Sequence, residues 1–405
     1  MRESTLTKSL NQREFLTRVF KINFQKDLPF AIWRKPKSDN LELVLGSERP
    51  LKKVNLELEE LPAGFIVHPF GDQENQEAFF IDAANYIQVK LDQPISPEDL
   101  PEFIAGGSEN KDELNSIFEW FQKTKNGLSP ESNLGNGESQ KHYENLVKLG
   151  IKGIEKGDFE KVVPARTKRI PLDSSFDLMA SFETMLKKYP NAFVNFFHLP
   201  GIGTWLGASP EILIETKQDH FYTMSLAGTQ PASGDNPVRS VAWTQKEIEE
   251  QALVSRYIVD CFKKIRLREY EEHGPKTVQA GSLLHLRSDF KVDMKATNFP
   301  QLGSVMLKLL HPTSAVCGMP RQKALDFIAE NEQFDRSFFA GFLGPVNIGE
   351  ETSIYVNLRT ASLTGKEAIV YAGAGITEDS DPEKEWEETE LKCANIGKIL
   401  INPKE

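Results

Sequence analysis

The chain is poor in cysteine and histidine, and those it has are widely separated. Its three cysteines, Cys261, Cys317 and Cys393, lie in unrelated contexts without a CxxC pair. Its seven histidines include no HxxxH or similar pair. A zinc site needs closely spaced nitrogen and sulfur ligands, and a disulfide framework needs paired cysteines, so neither is expected. We predict a reduced, cytoplasmic protein whose cysteines are small core residues.

Excess positive charge and long apolar runs are also absent. The net charge is −11 and the pI is near 5.4, which argues against non-specific binding of nucleic acid or an anionic membrane. No apolar run is long enough to span a bilayer. The first ten residues contain no apolar segment typical of a secretion signal. An anionic ligand would therefore need locally placed cations.

The length of 405 residues, with 39% hydrophobic residues, is sufficient for a large core. Strand-like runs follow one another in hairpin-like pairs instead of alternating regularly with helices. This favours an α+β fold with antiparallel sheets. We expect 1–125 to be a divergent N-terminal part of these sheets, 126–140 a surface loop, and 141–402 the catalytic region, all joined in one compact domain.

The C-terminal block has the pattern of a strand, a glycine turn and a helix. Gly373 and Gly375 follow an apolar run; glycine allows positive φ and leaves backbone N–H groups uncovered. Asp379-Ser380-Asp381-Pro382 predicts a helix start. Glu385, Glu388 and Lys392 then share one helix face. Such a face could hold a cation and an anion, although a solvated face with ion pairs is the commoner outcome.

Three more charged residues fall at apolar positions. Glu250 extends the apolar stripe of a predicted helix over 244–266, so it is either paired or metal-bound, or it reaches solvent at a frayed end. Lys161 shares a strand face with Phe159 and Val163, and a buried lysine can act as a base. Glu211 begins an apolar strand, where a carboxyl group kept protonated can act as an acid. The two interpretations of Glu250 are equally supported, whereas Lys161 and Glu211, taken singly, are more often ordinary charges at the edge of an element.

The motifs together resemble the chorismate-utilising enzymes, a family that includes isochorismate, salicylate, anthranilate and aminodeoxychorismate synthases. The resemblance covers about residues 141–400 in the family's order. The matching segments begin at Lys161 (KVVPAR), Gly207 (GASPE), Leu226 (LAGT), Lys246 (KEIEEQALV), Leu284 (LHL), Leu310 (LHPTSAVCGMP), Leu358 (LRTA) and Tyr371, the C-terminal block.

The resemblance implies a role for each candidate. Glu250 and Glu388 would be Mg²⁺ ligands, and the metal would bind the ring carboxylate of chorismate. Lys392 and the backbone at Gly375 would contact a carboxylate, and Arg359 would hold the enolpyruvyl carboxylate. His285 and Thr229 would line the pocket, while Glu385 would support the metal ligands without touching the metal. Lys161 would be the base that activates water, and Glu211 the acid.

Within the family, a lysine at position 161 implies addition of water rather than ammonia. The expected reaction is the isomerisation of chorismate to isochorismate, a precursor in menaquinone and siderophore biosynthesis. Two departures from the family pattern are Gln251, where histidine is common, and Phe339, where salicylate synthases have tyrosine. The alternatives are a salicylate synthase and a non-catalytic protein that binds a chorismate-like ligand. No glutaminase subunit is expected, and the protein is predicted to be a monomer or weak dimer.

Overall fold

The computed structural model describes residues 9–46, 51–71, 77–105, 121, 139–172 and 176–403. Its helices are α1 (Gln12–Lys26), α2 (Glu102–Ala105), α3 (Gln140–Glu155), α4 (Leu178–Lys188), α5 (Pro237–Ser240), α6 (Gln245–Lys264), α7 (Leu302–Leu310), α8 (Arg321–Asn331) and α9 (Pro382–Ile401). The predicted loop over 126–140 lies almost wholly outside the described residues. None of the helices in these ranges is both long and apolar enough to cross a membrane.

The strands form two large antiparallel sheets and one small one. Sheet A has the order β6 (Tyr86–Lys90), β2 (Asn40–Leu45), β1 (Phe30–Arg34), β9 (Phe193–Leu199), β10 (Gly203–Ser209), β18 (Thr360–Leu363), β19 (Glu367–Gly373) and β8 (Ala165–Pro171). Sheet B has the order β13 (Glu271–Ala280), β14 (Leu283–Asp293), β12 (His220–Pro231), β11 (Ile212–Lys217), β17 (Glu351–Val356), β16 (Phe342–Val346), β4 (Gly64–His68), β5 (Glu77–Asp82) and β3 (Lys52–Asn55). Strand β7 (Lys161–Val162) pairs with β15 (Gly318–Met319). The predicted α+β class is confirmed.

Aromatic side chains join the two large sheets face to face. Phe193 of sheet A stacks on Tyr355 of sheet B with ring centroids 4.0 Å apart. Trp33 of sheet A lies 5.0 Å from Phe65 of sheet B, with the two rings tilted. A second core lies between sheet A and helices α1, α4 and α9. There Phe20 of α1 packs 4.7 Å from Phe196 of β9. Burial on this scale contributes the main stabilising free energy, about 25 cal/mol for each Å² of apolar surface removed from water.

The chain crosses from one sheet to the other at two neighbouring points. The sequence predicts continuous strands over 204–216 and 353–361, and both predictions are wrong. The first breaks at Pro210, between β10 of sheet A and β11 of sheet B, and the second breaks between β17 and β18. The two crossings are hydrogen-bonded, because the N–H of Val356 donates to the carbonyl of Glu211 at 3.1 Å and that of Ala208 to Arg359 at 3.0 Å. Two predicted site residues are thereby brought side by side.

The predicted helix starts are confirmed. Thr244 caps α6 in a capping box with Glu247, and Asp381 accepts hydrogen bonds from the N–H groups of Glu383 and Lys384 ahead of α9. The strand predicted over 159–167 is interrupted at Pro164, which has no N–H to donate. Strand β7 therefore leaves the large sheet, and β8 joins it.

Candidate active site

A cavity opens where the two sheet crossings meet. Its wall contains seven of the nine residues predicted to form the site, namely Glu211, Thr229, Glu250, His285, Arg359, Gly375 and Lys392. Sheet B supplies Thr229 and His285, α6 and α9 supply Glu250 and Lys392, and connecting segments supply Glu211, Arg359 and Gly375. The remaining two, Lys161 and Glu388, lie beside this wall in contact with Glu250 and Lys392. The fold therefore gathers residues that are up to 231 positions apart in the sequence.

Lys161 is completely buried and pairs with Glu250. Its Nζ lies 2.9 Å from Oε1 of Glu250. Glu250 does not reach solvent at a frayed helix end, because only 13% of its side chain is exposed. Burial disfavours the Glu250 carboxylate, but the Lys161 and Lys246 ammonium groups outweigh it and lower the pKa of Glu250 to about 2. Glu250 is therefore an anion at neutral pH.

Gly375 closes over this ion pair. A Cβ atom at residue 375 would lie 2.2 Å from Oε1 of Glu250 and 2.9 Å from Cε of Lys161. Neither Gly375 nor Gly373 has positive φ, so the conformational freedom that glycine allows is not used at either position. Glycine is needed at 375 because the backbone approaches the ion pair so closely.

We predict that Gly375→Ala lowers kcat by about 10²-fold, because displacing a reacting group by about 1 Å is sufficient for such a loss. The added methyl group would push Glu250 and Lys161 out of place. Steady-state turnover, with thermal unfolding to confirm the fold, tests this. Gly71→Ala is the control, since nothing lies within 4 Å of its added Cβ. Unchanged turnover in Gly375→Ala would show that the close approach has no catalytic consequence.

An acidic cluster lies next to the Lys161–Glu250 pair. Glu385 contacts Nζ of Lys246, and Oε1 of Glu388 lies 2.6 Å from Nζ of Lys392. Lys392 also donates to the carbonyl of Gly373 at 2.8 Å. Burial raises the pKa of Glu385 to about 7 despite Lys246, and the nearby Glu388 raises it further. The shared face of α9 is thus an interior face and not a solvated one.

These carboxylates suit a hard divalent cation. Among the described residues, no three His, Cys, Asp or Glu side chains lie close enough to hold a metal by themselves. Mg²⁺ is commonly bound by one or two carboxylates, with water and substrate oxygens completing its shell. Glu250 and Glu388, on facing helices beside the cavity, fit that pattern of donors.

Arg359 and His285 also line the cavity, and Arg359 supplies a positive charge there. Nδ1 of His285 lies 2.7 Å from the carbonyl of Gly228, so this nitrogen carries the proton. Burial and the Arg359 charge lower the pKa of His285 to about 3, which leaves Nε2 as an acceptor 3.4 Å from Nη2 of Arg359. Burial lowers the pKa of Arg359 to about 10, so it stays charged. Its Nη1 is buried without a hydrogen-bond partner among the described residues and can donate to a ligand carboxylate.

Glu211 is the carboxyl group that stays protonated at neutral pH. It is only 3% exposed, and burial raises its pKa to about 8 although the Lys161 ammonium acts in the opposite direction. Its position in the sheet crossing explains this, because Pro210 and the start of β11 enclose it in apolar surroundings. A neutral carboxyl facing a cavity can donate a proton to a ligand.

The sequence analysis missed Lys246, Arg336 and Tyr371 as parts of the site. Tyr371 lines the cavity and stacks on Phe339, with ring centroids 5.4 Å apart. Arg336 is 4% exposed and donates to the carbonyls of Val316 at 2.9 Å and Val163 at 2.7 Å. In the sequence, the position of Arg336 next to an apolar motif was a sign that it could be buried. For Lys246, the sign was its place in the charged run KEIEE, which also contains Glu250.

We expect Arg336→Met to lower the free energy of unfolding by about 3–5 kcal/mol, since Arg336 also pairs with Glu332 in the interior. The variant would leave the Glu332 carboxylate buried without its partner. Urea unfolding measures this, and the double variant Arg336→Met/Glu332→Gln should lose less than Arg336→Met alone. Equal losses in the two variants would show that the pair is not coupled. Arg239→Met, on the exposed helix α5, is the control.

Known proteins resemble this chain in sequence and in fold. Isochorismate synthase MenF of Escherichia coli is 28% identical over 262 residues, which cover 64% of this chain and 60% of that protein. Isochorismate synthase EntC of Escherichia coli is 28% identical over 264 residues, covering 64% of this chain and 66% of that protein. The chain thus spans about two thirds or less of these relatives. The solved structure of the menaquinone-specific isochorismate synthase MenF from Escherichia coli has a TM-score of 0.70 at 21% identity, and covers 98% of this chain and 92% of that one.

The family model described as chorismate binding enzyme matches residues 89–401. This range includes every residue of the cavity wall and more than half of the chain. The protein therefore belongs to the chorismate-binding enzyme family.

Proposed function

We propose that the protein is an isochorismate synthase, a Mg²⁺-dependent isomerase that converts chorismate to isochorismate. The observation that carries the proposal is that a candidate base, a candidate acid and groups that can bind carboxylates surround one cavity. A buried lysine lies beside the cavity wall, and the wall itself contains Glu211. Arg359 and Lys392, which line the same cavity, offer cationic groups for two carboxylates. The names of the relatives support the same activity.

The substrate is a dicarboxylate, and the site offers a separate partner for each carboxylate. Arg359 has a buried Nη1 donor without a partner, which suits the enolpyruvyl carboxylate. The ring carboxylate would lie near Lys392 and the backbone of Gly375, toward Glu250 and Glu388. Thr229 and His285 would contact the ring or its ether oxygen from sheet B. This arrangement presents ring atoms C2 and C4 to opposite walls.

The reaction moves a hydroxyl group across the diene. Lys161, in its neutral form, accepts a proton from a water molecule whose oxygen forms a bond to C2. The C1=C2 and C5=C6 double bonds shift to C1=C6 and C4=C5, and the C4–O bond breaks. Glu211 donates its proton to the departing hydroxyl, which leaves as water. One water enters and one leaves, and a proton returned from Lys161 to Glu211 through solvent restores the enzyme.

Mg²⁺ held by Glu250 and Glu388 would neutralise the ring carboxylate and withdraw electron density from the ring during attack at C2. Glu250 meanwhile holds the Lys161 ammonium at 2.9 Å. This contact would fix the direction in which the Lys161 side chain points.

Identifying the product formed from chorismate and Mg²⁺ tests the proposal. We expect isochorismate, no turnover in the presence of a chelator, and no aminated product with ammonium salts. Formation of salicylate and pyruvate would instead identify a salicylate synthase. Chorismate binding without any product would identify a non-catalytic binding protein. Phe339, which lines the cavity where salicylate synthases have tyrosine, favours a reaction that stops at isochorismate.

A further inference from the structure

The acidic cluster has a lysine for each glutamate. Lys161 pairs with Glu250, Lys392 with Glu388 and Lys246 with Glu385. Two of these lysines have a further use in the site. Lys161 is the proposed base, and Lys392 lines the cavity and donates to the carbonyl of Gly373. Lys246 neither lines the cavity nor reaches the reacting atoms.

Lys246 is placed to act on the whole cluster. Burial lowers its pKa, but the charges of Glu385, Glu388 and Glu250 outweigh that effect and raise it. Lys246 is therefore a permanent cation within electrostatic range of all three carboxylates, with 21% of its side chain exposed.

The position of Lys246 in its own helix does not explain its presence. It is the second residue of α6, and the positive end of the helix dipole disfavours a cation in the first turn. The favourable interaction of Lys246 is across the site, with Glu385 of α9. The positive charge of Lys246 is therefore unfavourable for its own helix, and its favourable interaction is with the carboxylates.

We propose that Lys246 is a built-in counter-ion that weakens metal binding by the acidic cluster. Resting on the proposed Mg²⁺ site, the inference is that this ammonium group holds Glu385 in place and offsets part of the negative charge around Glu250 and Glu388 before a divalent cation arrives. Once the cation binds, the same fixed charge repels it. The metal is consequently held loosely and can exchange.

The test is direct metal binding by the full-length, metal-free protein without chorismate. Mn²⁺ is the probe, and free Mn²⁺ is measured by electron paramagnetic resonance at pH 8.5, above the pKa of about 7 of Glu385. We expect Lys246→Met to bind Mn²⁺ about tenfold tighter or more, since the variant removes a positive charge that would repel a divalent ion held by the neighbouring carboxylates. Lys246→Arg, which keeps the charge, should bind like the wild type.

The control is Lys168→Met. Lys168 pairs with Glu390 of the same helix α9, but 44% of its side chain is exposed, so its removal should not change Mn²⁺ affinity. If Lys246→Met does not fold, Lys246→Gln replaces it. Equal or weaker Mn²⁺ binding by the charge-removing variant overturns the role of Lys246 and leaves the metal site standing. No Mn²⁺ binding by wild type or variant overturns the metal site itself, and the inference with it.

Discussion

Lys161→Ala should reduce kcat for isochorismate formation by about 10²–10⁴-fold, which is the usual contribution of a positioned general base. The Lys161 side chain is fully buried, so bulk water cannot deliver a replacement base to the same position. The groups proposed to bind the two carboxylates, Arg359 and Lys392, are unchanged in the variant. Chorismate should therefore still bind, and the loss should be in kcat more than in KM.

Chromatographic measurement of isochorismate formation, together with calorimetric titration of chorismate, separates these effects. Lys168→Ala is the matched control, because Lys168 is a nearby lysine of β8 that pairs with a glutamate but lies on the surface. Full turnover by Lys161→Ala would refute the assignment of the base. A parallel loss of chorismate binding would instead indicate that Lys161 mainly supports the pocket through Glu250.

The sequence patterns predicted local features of the site well. Asp381 and Pro382 mark the start of α9 because capping depends only on residues within one turn. The face shared by Glu385, Glu388 and Lys392 follows from helical periodicity alone. What periodicity could not decide was whether that face met solvent or the interior. The answer came from Lys246, a residue on another helix, whose contact with Glu385 is set by tertiary packing.

The sheet crossings could not be predicted from strand patterns. Residues 204–216 include eight apolar residues among thirteen when glycine and proline are counted, and such a run is equally compatible with one long strand or two short ones. The break at Pro210 depends on which partner strand each half finds, β18 in sheet A or β17 in sheet B. Glu211 owes its burial to that choice. Its protonated state is therefore a property of the fold and not of its neighbours in the sequence.

The same limit applies to Gly375. A glycine after a strand allows a positive φ, which a turn can require. The actual constraint is contact with Glu250, which lies 125 positions earlier in the chain. Family resemblance located the residue correctly at the cavity wall, but only the three-dimensional contact supplies the physical reason for glycine.

Glu211→Gln should lower kcat by about 10²–10⁴-fold, because the variant cannot protonate the departing hydroxyl group. In the wild type, kcat should fall as the pH rises through about 8, the pKa to which burial raises Glu211. Above that pH the acid is ionised and has no proton to give. Glu215→Gln is the control, since Glu215 is a partly buried carboxyl of the adjoining strand β11 that does not line the cavity.

The free energy of unfolding of Glu211→Gln, relative to that of the wild type, should increase as the pH rises. In the unfolded chain Glu211 ionises near pH 4.5, whereas in the folded protein it stays protonated up to about pH 8. Between these values the unfolded state binds fewer protons, so the wild type loses up to about 1.4 kcal/mol of unfolding free energy per pH unit from this group. Glutamine removes that loss.

Urea unfolding at pH 5 and at pH 8 measures the difference. We expect the variant to gain stability relative to the wild type as the pH rises between these values, while it loses activity at both. A gain in stability that grows with pH, together with the loss of activity, would show that the protonated Glu211 carboxyl group serves catalysis and lowers the stability of the fold. A variant that is inactive but shows no change with pH would mean that Glu211 is ionised in the folded protein, and a different group would then have to supply the proton to the leaving hydroxyl.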